Sequence, residues 1–143
     1  MIKEFETLTI EEAALLLKAP VVFSVYTLSA FKHISKAQKE DAIKLVHIKT
    51  FTEHYQLIPY YEEADKNFRS DLEGYIEQFF PFELAHCNAI KKDMEKINSI
   101  IDKMDKVYGG LLRKSLEGFV QHIKKAAHNV LQDIIFPITF SKL

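Results

Sequence analysis

Glutamate and histidine residues offer the clearest route to metal chemistry in this chain of 143 residues, which contains six histidines. Glu83 and His86 are three positions apart, the spacing at which helical di-iron proteins present two ligands on one helix face. Such a site also needs a second Glu-x-x-His pair and two further glutamates, and no second pair of that spacing occurs here. We therefore predict no metal site and no cofactor. The alternative is a metal-binding bundle, ferritin-like or di-metal, that uses Glu83, His86 and neighbouring histidines.

The remaining histidines give a second way to build a metal site. His47 and His54 are about two helical turns apart, whereas His122 and His128 are spaced so that they do not share a helix face. Any of them could meet another across a helical bundle and hold zinc. The simpler interpretation, which we adopt, is that each is a surface or boundary residue.

Nucleophilic catalysis has no recognisable motif in this chain. Cys87 falls on the apolar stripe of its predicted helix, where a thiol is most simply a small core residue. The serines lack a strand-to-helix turn of the Gly-x-Ser-x-Gly kind, and the sequence has no glycine-rich phosphate-binding loop. We therefore predict that the chain is not an enzyme.

A basic face on the last predicted helix offers the chemistry of binding. Its members form two pairs, each eleven positions apart and so almost three helical turns apart, with a histidine nearby. The candidate interaction residues are Arg113 with Lys124, Lys114 with Lys125, and His128. A solvated face is the simplest interpretation. The specific alternative is that this face meets an acidic surface, either on the acidic helix predicted over residues 60–79 or on a partner protein.

Apolar periodicity predicts the two helices that carry most of these residues. Apolar side chains recur every three or four positions over residues 107–134, and again over residues 83–104, as on one stripe of an α-helix. Gly109-Gly110 is unfavourable inside a helix. We therefore predict a break between Asp105 and Gly110, giving an antiparallel helical hairpin.

Capping residues and prolines predict the helices of the first half. Two capping boxes, Thr9 with Glu12 and Ser35 with Gln38, each open a helix. Prolines favour the first turn of two more helices. The four predicted helices cover residues 10–18, 20–31, 36 to about 51–55, and 60–79.

The composition fits one all-helical domain. Hydrophobic residues make up 48% and charged residues 27%, and only four glycines and four prolines suit short links between helices. We predict an all-α fold, a compact single-domain bundle of about six to seven helices over residues 1–143. A net charge of −1 argues against nucleic-acid binding, which needs a basic footprint.

Neither a targeting segment nor a membrane span is predicted. The start, MIKEFETLT, lacks the apolar region of a signal peptide, and the longest apolar run, residues 19–31, is too short to cross a bilayer. A single cysteine fits a reducing compartment. We predict a cytoplasmic protein without membrane insertion. Its apolar tail residues Phe136, Ile138 and Phe140 are expected to dock on the bundle or, alternatively, to form a partner-binding patch.

The link between the second and third predicted helices resembles the signature of TerB-like (tellurite-resistance type) domains. That signature reads Ala-Asp-Gly-x-Ile-Ser/Asp, after an apolar helix and before a helix that opens with one or two glutamates. Ala30, Ile34 and Ser35 stand at its positions, and Ser115–Asn129 is similar to a later helix of the family. The resemblance covers about residues 10–130 and implies a compact all-helical bundle.

The acidic positions of the signature are replaced or shifted in this chain. They read Phe31-Lys32 for its Asp-Gly and Ala37-Gln38 for its glutamates, with Glu40 and Asp41 nearby but out of register. In the family these acids are associated with metal binding, and a hard cation needs clustered carboxylate oxygens. The resemblance therefore implies a non-enzymatic protein of a stress or tellurite-resistance response. The resemblance also implies that this chain has lost the family's acidic metal site and that it functions by binding another protein.

Overall fold

A computed structural model of the chain describes the backbone of residues 2–135 and the side chains of residues 2–127. The tail residues Phe136, Ile138 and Phe140, and the side chain of His128, lie outside this part of the chain. Within it there are seven α-helices, two short 3-10 turns at Lys3–Phe5 and Ser29–Phe31, and no β-strand. The prediction of an all-helical bundle of six to seven helices is confirmed.

The α-helices are α1 (Ile10–Leu17), α2 (Ala19–Leu28), α3 (Lys36–Thr52), α4 (Ile58–Lys66), α5 (Phe68–Phe79), α6 (Leu84–Lys103) and α7 (Lys106–Ile135).

Both predicted capping boxes are present. The Thr9 hydroxyl accepts a hydrogen bond from the Glu12 amide at 3.1 Å, and the Glu12 carboxylate accepts one from the Thr9 amide at 3.0 Å. Ser35 and Gln38 make the same reciprocal pair at 3.1 and 2.9 Å. Because these bonds satisfy amides that a helix leaves unpaired at its start, α1 and α3 begin where the sequence predicts.

Helix α2 lies at the centre of the bundle. It is buried from Ala19 to Val25 and again at Leu28, and it contacts α1, α3, α5, α6 and α7. A helix that is apolar on every side is expected to be enclosed by its neighbours. The predicted end near Phe31 is nearly right, since its last three residues form the 3-10 turn Ser29–Phe31.

The single helix predicted over residues 60–79 is wrong, because α4 and α5 are separate helices. Asn67 between them has φ −121° and ψ 14°, which is not a helical conformation. Asparagine is a poor helix former, and the bend places Phe68 in the core, where it is 2% exposed. The two halves then pack on different neighbours, α4 mainly on α3 and α5 mainly on α2.

The last two helices are separate, as predicted, but the break comes earlier than predicted. Met104 and Asp105 lie between them, and Gly109 and Gly110 are inside the first turns of α7. The Asp105 carboxylate accepts a hydrogen bond from the Tyr108 amide at 3.0 Å. An aspartate cap, rather than the glycine pair, therefore starts the helix.

Helices α6 and α7 run antiparallel, as predicted. Gly109 lies against Ile101, since a Cβ at this glycine would be 3.1 Å from the Ile101 carbonyl oxygen. Arg113, one turn further along α7, donates a hydrogen bond to the carbonyl oxygen of Asn98, nearly one turn earlier on α6. The two helices therefore run in opposite directions.

Helix α7 buries the apolar stripe that its sequence predicts. The buried members are Tyr108, Leu112, Leu116, Phe119, Ile123 and Ala127. They face α2, α3 and α6, the helices with which α7 makes most of its contacts. The opposite side of α7 carries its lysines into solvent.

No single helix within residues 2–135 is both long enough and apolar enough to cross a lipid bilayer.

Candidate functional site

Glu83 and His86 lie close together at the start of α6, but no third ligand from the described residues joins them. Their closest side-chain atoms, Oε1 and Nε2, are 3.8 Å apart. The Nδ1 atom of His86 lies 2.7 Å from the carbonyl oxygen of Pro81 and donates to it, since a carbonyl can only accept. In the described part of the chain, no three His, Cys, Asp or Glu side chains are placed to hold a metal ion.

The other described histidines, His33, His47, His54 and His122, are all exposed. His47 pairs with Asp65 at 3.0 Å, and His122 lies 3.9 Å from Asp41. His54 stacks on the ring of the residue that follows it, with centroids 4.7 Å apart. Each of the three is occupied by a local contact, and the zinc site that pairs of them would form across the bundle is not assembled among residues 2–127.

Cys87 is half-buried beside the 3-10 turn Ser29–Phe31. Its sulfur lies 3.8 Å from the Ser29 hydroxyl, which is itself committed to the Tyr26 carbonyl oxygen at 2.6 Å. A thiolate is favoured by a neighbouring cation or base, or by a helix N-terminus. Cys87 lies at the start of α6, and its described side-chain hydrogen bond is to the Ser29 hydroxyl rather than to a base or cation.

Three residues shape the link that joins the 3-10 turn to α3. Lys32 has φ of 64°, in the left-handed region, and among the described residues it is the one non-glycine with positive φ. Ile34 is buried at 7% exposure, and Ser35 caps α3. The link therefore turns sharply at Lys32 and is held on its far side by one apolar contact and one cap.

Of the two acids nearest this link, Glu40 is bound by a cation and Asp41 lies near a histidine. Both oxygens of Glu40 accept hydrogen bonds from Arg69, at 2.6 and 2.9 Å, and these bonds hold the pKa of the Glu40 carboxyl below its usual value. Asp41 faces His122. Both acids border a cleft of about 240 Å³ that Lys44 also lines. Glu40 and Asp41 therefore share their surroundings with positive groups.

The predicted basic face is divided between two roles. Arg113 donates to the Asp102 carboxylate at 2.9 Å as well as to a carbonyl oxygen of α6, so it fastens the helical hairpin. Lys114, Lys124 and Lys125 are exposed. Among the described side chains, no ion pair joins any of these cations to the acidic residues of α4 and α5. The role of this face in binding an acidic surface therefore stays a prediction.

Lys124 and Lys125 lie at a cleft between α7 and the end of α2, which we call the α2–α7 cleft. Its volume is about 440 Å³. The lining residues are Thr27, Ala30 and Phe31 on one side and Gln121, Lys124 and Lys125 on the other. Phe31, which sequence reasoning treated only as a departure from a signature, forms the apolar part of this cleft.

Charge distinguishes the α2–α7 cleft from four other clefts on the described surface. A larger cleft of about 610 Å³ between α1 and α6 is lined by Lys92, Lys96 and Lys103, but also by Glu11, Glu12 and Glu95. Three further clefts each include at least one carboxylate. The described lining of the α2–α7 cleft contains two ammonium groups and no carboxylate.

Comparison with known proteins leaves the chain without an assigned relative. It matches no protein-family model, and it has no significant match among the curated proteins or among the solved structures. The physical arrangement of its own residues is therefore the basis for a functional proposal.

Proposed function

We propose that this chain is a non-enzymatic, TerB-like helical module that binds another protein. We further propose that it acts in the cytoplasm, in a stress or tellurite-resistance response, and that the acidic metal site of the family is lost. The observation that carries the binding proposal is the α2–α7 cleft, because its two lysines have no described carboxylate partner within the chain. A cation-lined cleft whose described lining contains no carboxylate favours an acidic partner.

The shape of the link supports the TerB-like part of the proposal. The signature has glycine at the position of Lys32, and this residue has the positive φ that glycine adopts most readily. The signature's isoleucine corresponds to the buried Ile34, and its Ser/Asp corresponds to the cap residue Ser35. At these three positions, the local structure therefore suits the residue type that the signature has.

The surroundings of the nearby acids support the loss of the metal site. A hard cation is held by several carboxylate oxygens that are otherwise uncompensated. Here Glu40 is bound by a guanidinium through both oxygens, and Asp41 faces a histidine. Phe31, at the signature's aspartate position, provides no oxygen ligand. A cation at Glu40 would have to displace the guanidinium that already neutralises this carboxylate.

Cross-linking in the lysate of the cells that make the protein tests the binding proposal. The full chain is treated with a lysine-reactive cross-linker, and a helical protein of similar size and charge serves as the control. We expect at least one protein to be enriched on this chain and not on the control. A chain that remains monomeric and enriches nothing contradicts the proposed function.

A metal titration separates this proposal from the metal-binding alternative. Metal-stripped protein is titrated with Zn²⁺, Mn²⁺, Fe²⁺ and Ca²⁺ while the melting temperature is followed, since a ligand of the folded state must raise it. We expect no shift. A clear shift with one metal that disappears in Glu83→Ala or His86→Ala, but persists in the exposed control Glu77→Ala, would replace the protein-binding proposal with a metal site at α6.

A further inference from the structure

The α2–α7 cleft combines an apolar wall with a charged edge. Phe31, Ala30 and Thr27 provide the wall, and the exposed Lys124 and Lys125 stand opposite on α7. Peptide-binding grooves commonly have this division, in which an apolar anchor supplies contact area and charged groups set orientation and partner choice. At about 440 Å³ the cleft is within the size range of small binding pockets and suits a few side chains rather than a whole helix.

The positive charge of this cleft is local. The whole chain has a net charge of −1, so it does not attract anions over its entire surface. The exposed Lys32 follows Phe31 directly in the chain. Two lysines at one cleft of a molecule without overall positive charge direct an acidic partner to that place.

We infer that the α2–α7 cleft binds a short acidic segment of a partner protein, with an apolar side chain of that segment against Phe31 and its carboxylates against Lys124 and Lys125. The inference rests on the proposed function, since it names the surface and the partner chemistry of the same binding activity. The described cations are few compared with the four to eight clustered Lys or Arg typical of sites for anionic lipids. A nucleic-acid site needs a broader basic footprint than this.

A labelled peptide tests the inference directly. The probe is a short peptide with one phenylalanine between blocks of aspartate and glutamate, and its binding to the full chain is followed by fluorescence anisotropy at low ionic strength. We expect binding that weakens as salt is added. The double variant Lys124→Glu, Lys125→Glu should lower the affinity by about tenfold or more, because two attractive contacts become repulsive.

Matched variants separate this cleft from a general charge effect. Lys91 and Lys92 are also adjacent exposed lysines, on α6, and Lys91→Glu, Lys92→Glu changes the net charge by the same amount. This control should keep its affinity within about twofold of the unchanged chain, as expected for charges outside the contact. Phe31→Ala should weaken the phenylalanine peptide but not a version with glycine in its place, whereas Phe80→Ala, at a 52% exposed ring, should affect neither.

The outcomes are distinguishable. Peptide binding that is absent, or that is equal in the two lysine double variants, overturns the assignment of the cleft. If the lysate cross-link persists in that case, the proposed function stands without this site. If the cross-link is also absent, the proposed function fails. Tighter binding of anionic vesicles or of an oligonucleotide, lost with Lys124→Glu, Lys125→Glu, overturns the inference in favour of a lipid or nucleic-acid surface.

Discussion

The buried and exposed faces of α7 differ in what determines the role of each residue. On the buried face, Phe119 and Leu112 are fully enclosed, and each position is fixed by the spacing of apolar residues along one helix. On the exposed face, Lys114 and Lys124 are both solvent-accessible, but only Lys124 lies at a cleft. The spacing of apolar residues along α7 predicts which of its residues are buried. Whether an exposed residue of α7 can bind a partner depends on the element that packs next to it.

The difference shows what a charged face needs in order to become a site. Periodicity grouped Arg113 with Lys124, yet Arg113 bonds to Asp102 and Lys124 borders the α2–α7 cleft. The two residues share a side of the helix, but α6 supplies an acid to one, whereas the 3-10 turn after α2 supplies an apolar wall to the other. The neighbours therefore determine whether a cation on α7 has a structural role or is available to a partner.

The largest expected effect comes from the buried face. Phe119 is 0% exposed, so Phe119→Ala should lower the free energy of unfolding by about 3–5 kcal/mol, through lost apolar burial and the cavity left behind. Gln121→Ala, an exposed position on the same helix, should change it by less than about 0.5 kcal/mol. Urea denaturation of the two variants measures both values. Similar losses of unfolding free energy in the two variants would show that the two faces of α7 contribute equally to stability.

A pair of tyrosines sharpens the comparison within the core. The Tyr61 hydroxyl is 2.6 Å from the Ser115 hydroxyl, so Tyr61→Phe leaves a buried group unpaired and should destabilise by about 1–3 kcal/mol. The Tyr108 hydroxyl is buried without a hydrogen-bond partner among the described residues, so Tyr108→Phe should be neutral or stabilising. Thermal denaturation distinguishes them, and the reverse order would show that these two hydroxyls are paired differently.

The strained link beside the cleft should respond in the opposite direction. Lys32→Gly is expected to stabilise by about 1 kcal/mol, because glycine accepts the positive φ without a Cβ clash. Lys36→Gly, in the first turn of α3, should instead destabilise by about 0.5–1 kcal/mol, since glycine is a poor helix residue. Equal effects of the two substitutions on the melting temperature would argue against strain at Lys32.

Two adjacent glycines test the two faces at neighbouring positions. Gly110 is exposed and a Cβ there meets nothing within 4 Å, so Gly110→Ala should stabilise by about 0.5–1 kcal/mol. Gly109 is buried, and a Cβ would lie 3.1 Å from the Ile101 carbonyl oxygen and 3.3 Å from its Cγ2. Gly109→Ala should therefore give a lower melting temperature than Gly110→Ala. A higher one would contradict the close approach of α6 and α7.

The smallest effect on stability is expected at the cleft. Lys124→Glu, Lys125→Glu changes two exposed residues without a described ion-pair partner, so the free energy of unfolding should change by less than about 0.5 kcal/mol. The same variant is expected to lose peptide affinity. Urea denaturation measures the stability of the variant, and fluorescence anisotropy on the same preparation measures its peptide affinity. If the variant loses affinity because it is unfolded, the exposed face is not separable from the buried face in this way.

Local signals in the sequence were sufficient for much of the fold. Thr9 with Glu12 and Ser35 with Gln38 form caps between residues three apart, so the pattern contains both partners. The missed boundaries lie at Asn67 and Asp105. Apolar periodicity continues through both positions, and the break depends on how the following helix packs, which a single stretch of sequence does not contain.

The candidate site was less accessible to sequence reasoning for a related reason. Lys124 and Lys125 were identified from their charge and spacing, but the wall at Phe31 lies more than ninety positions earlier in the chain. Only the packing of α7 on α2 brings the two sides together. The positive φ of Lys32 was equally hidden, although the glycine at that position of the signature is a signal that could have revealed it.

The central position of α2 also has a consequence for synthesis of the chain. Its residues are synthesised before those of α5, α6 and α7, which cover its faces. Until these helices are synthesised, the apolar run from Ala19 to Leu28 has no complete enclosure. Nascent chains stalled before residue 106 should therefore be held by chaperones at this run, whereas release should coincide with the emergence of α7.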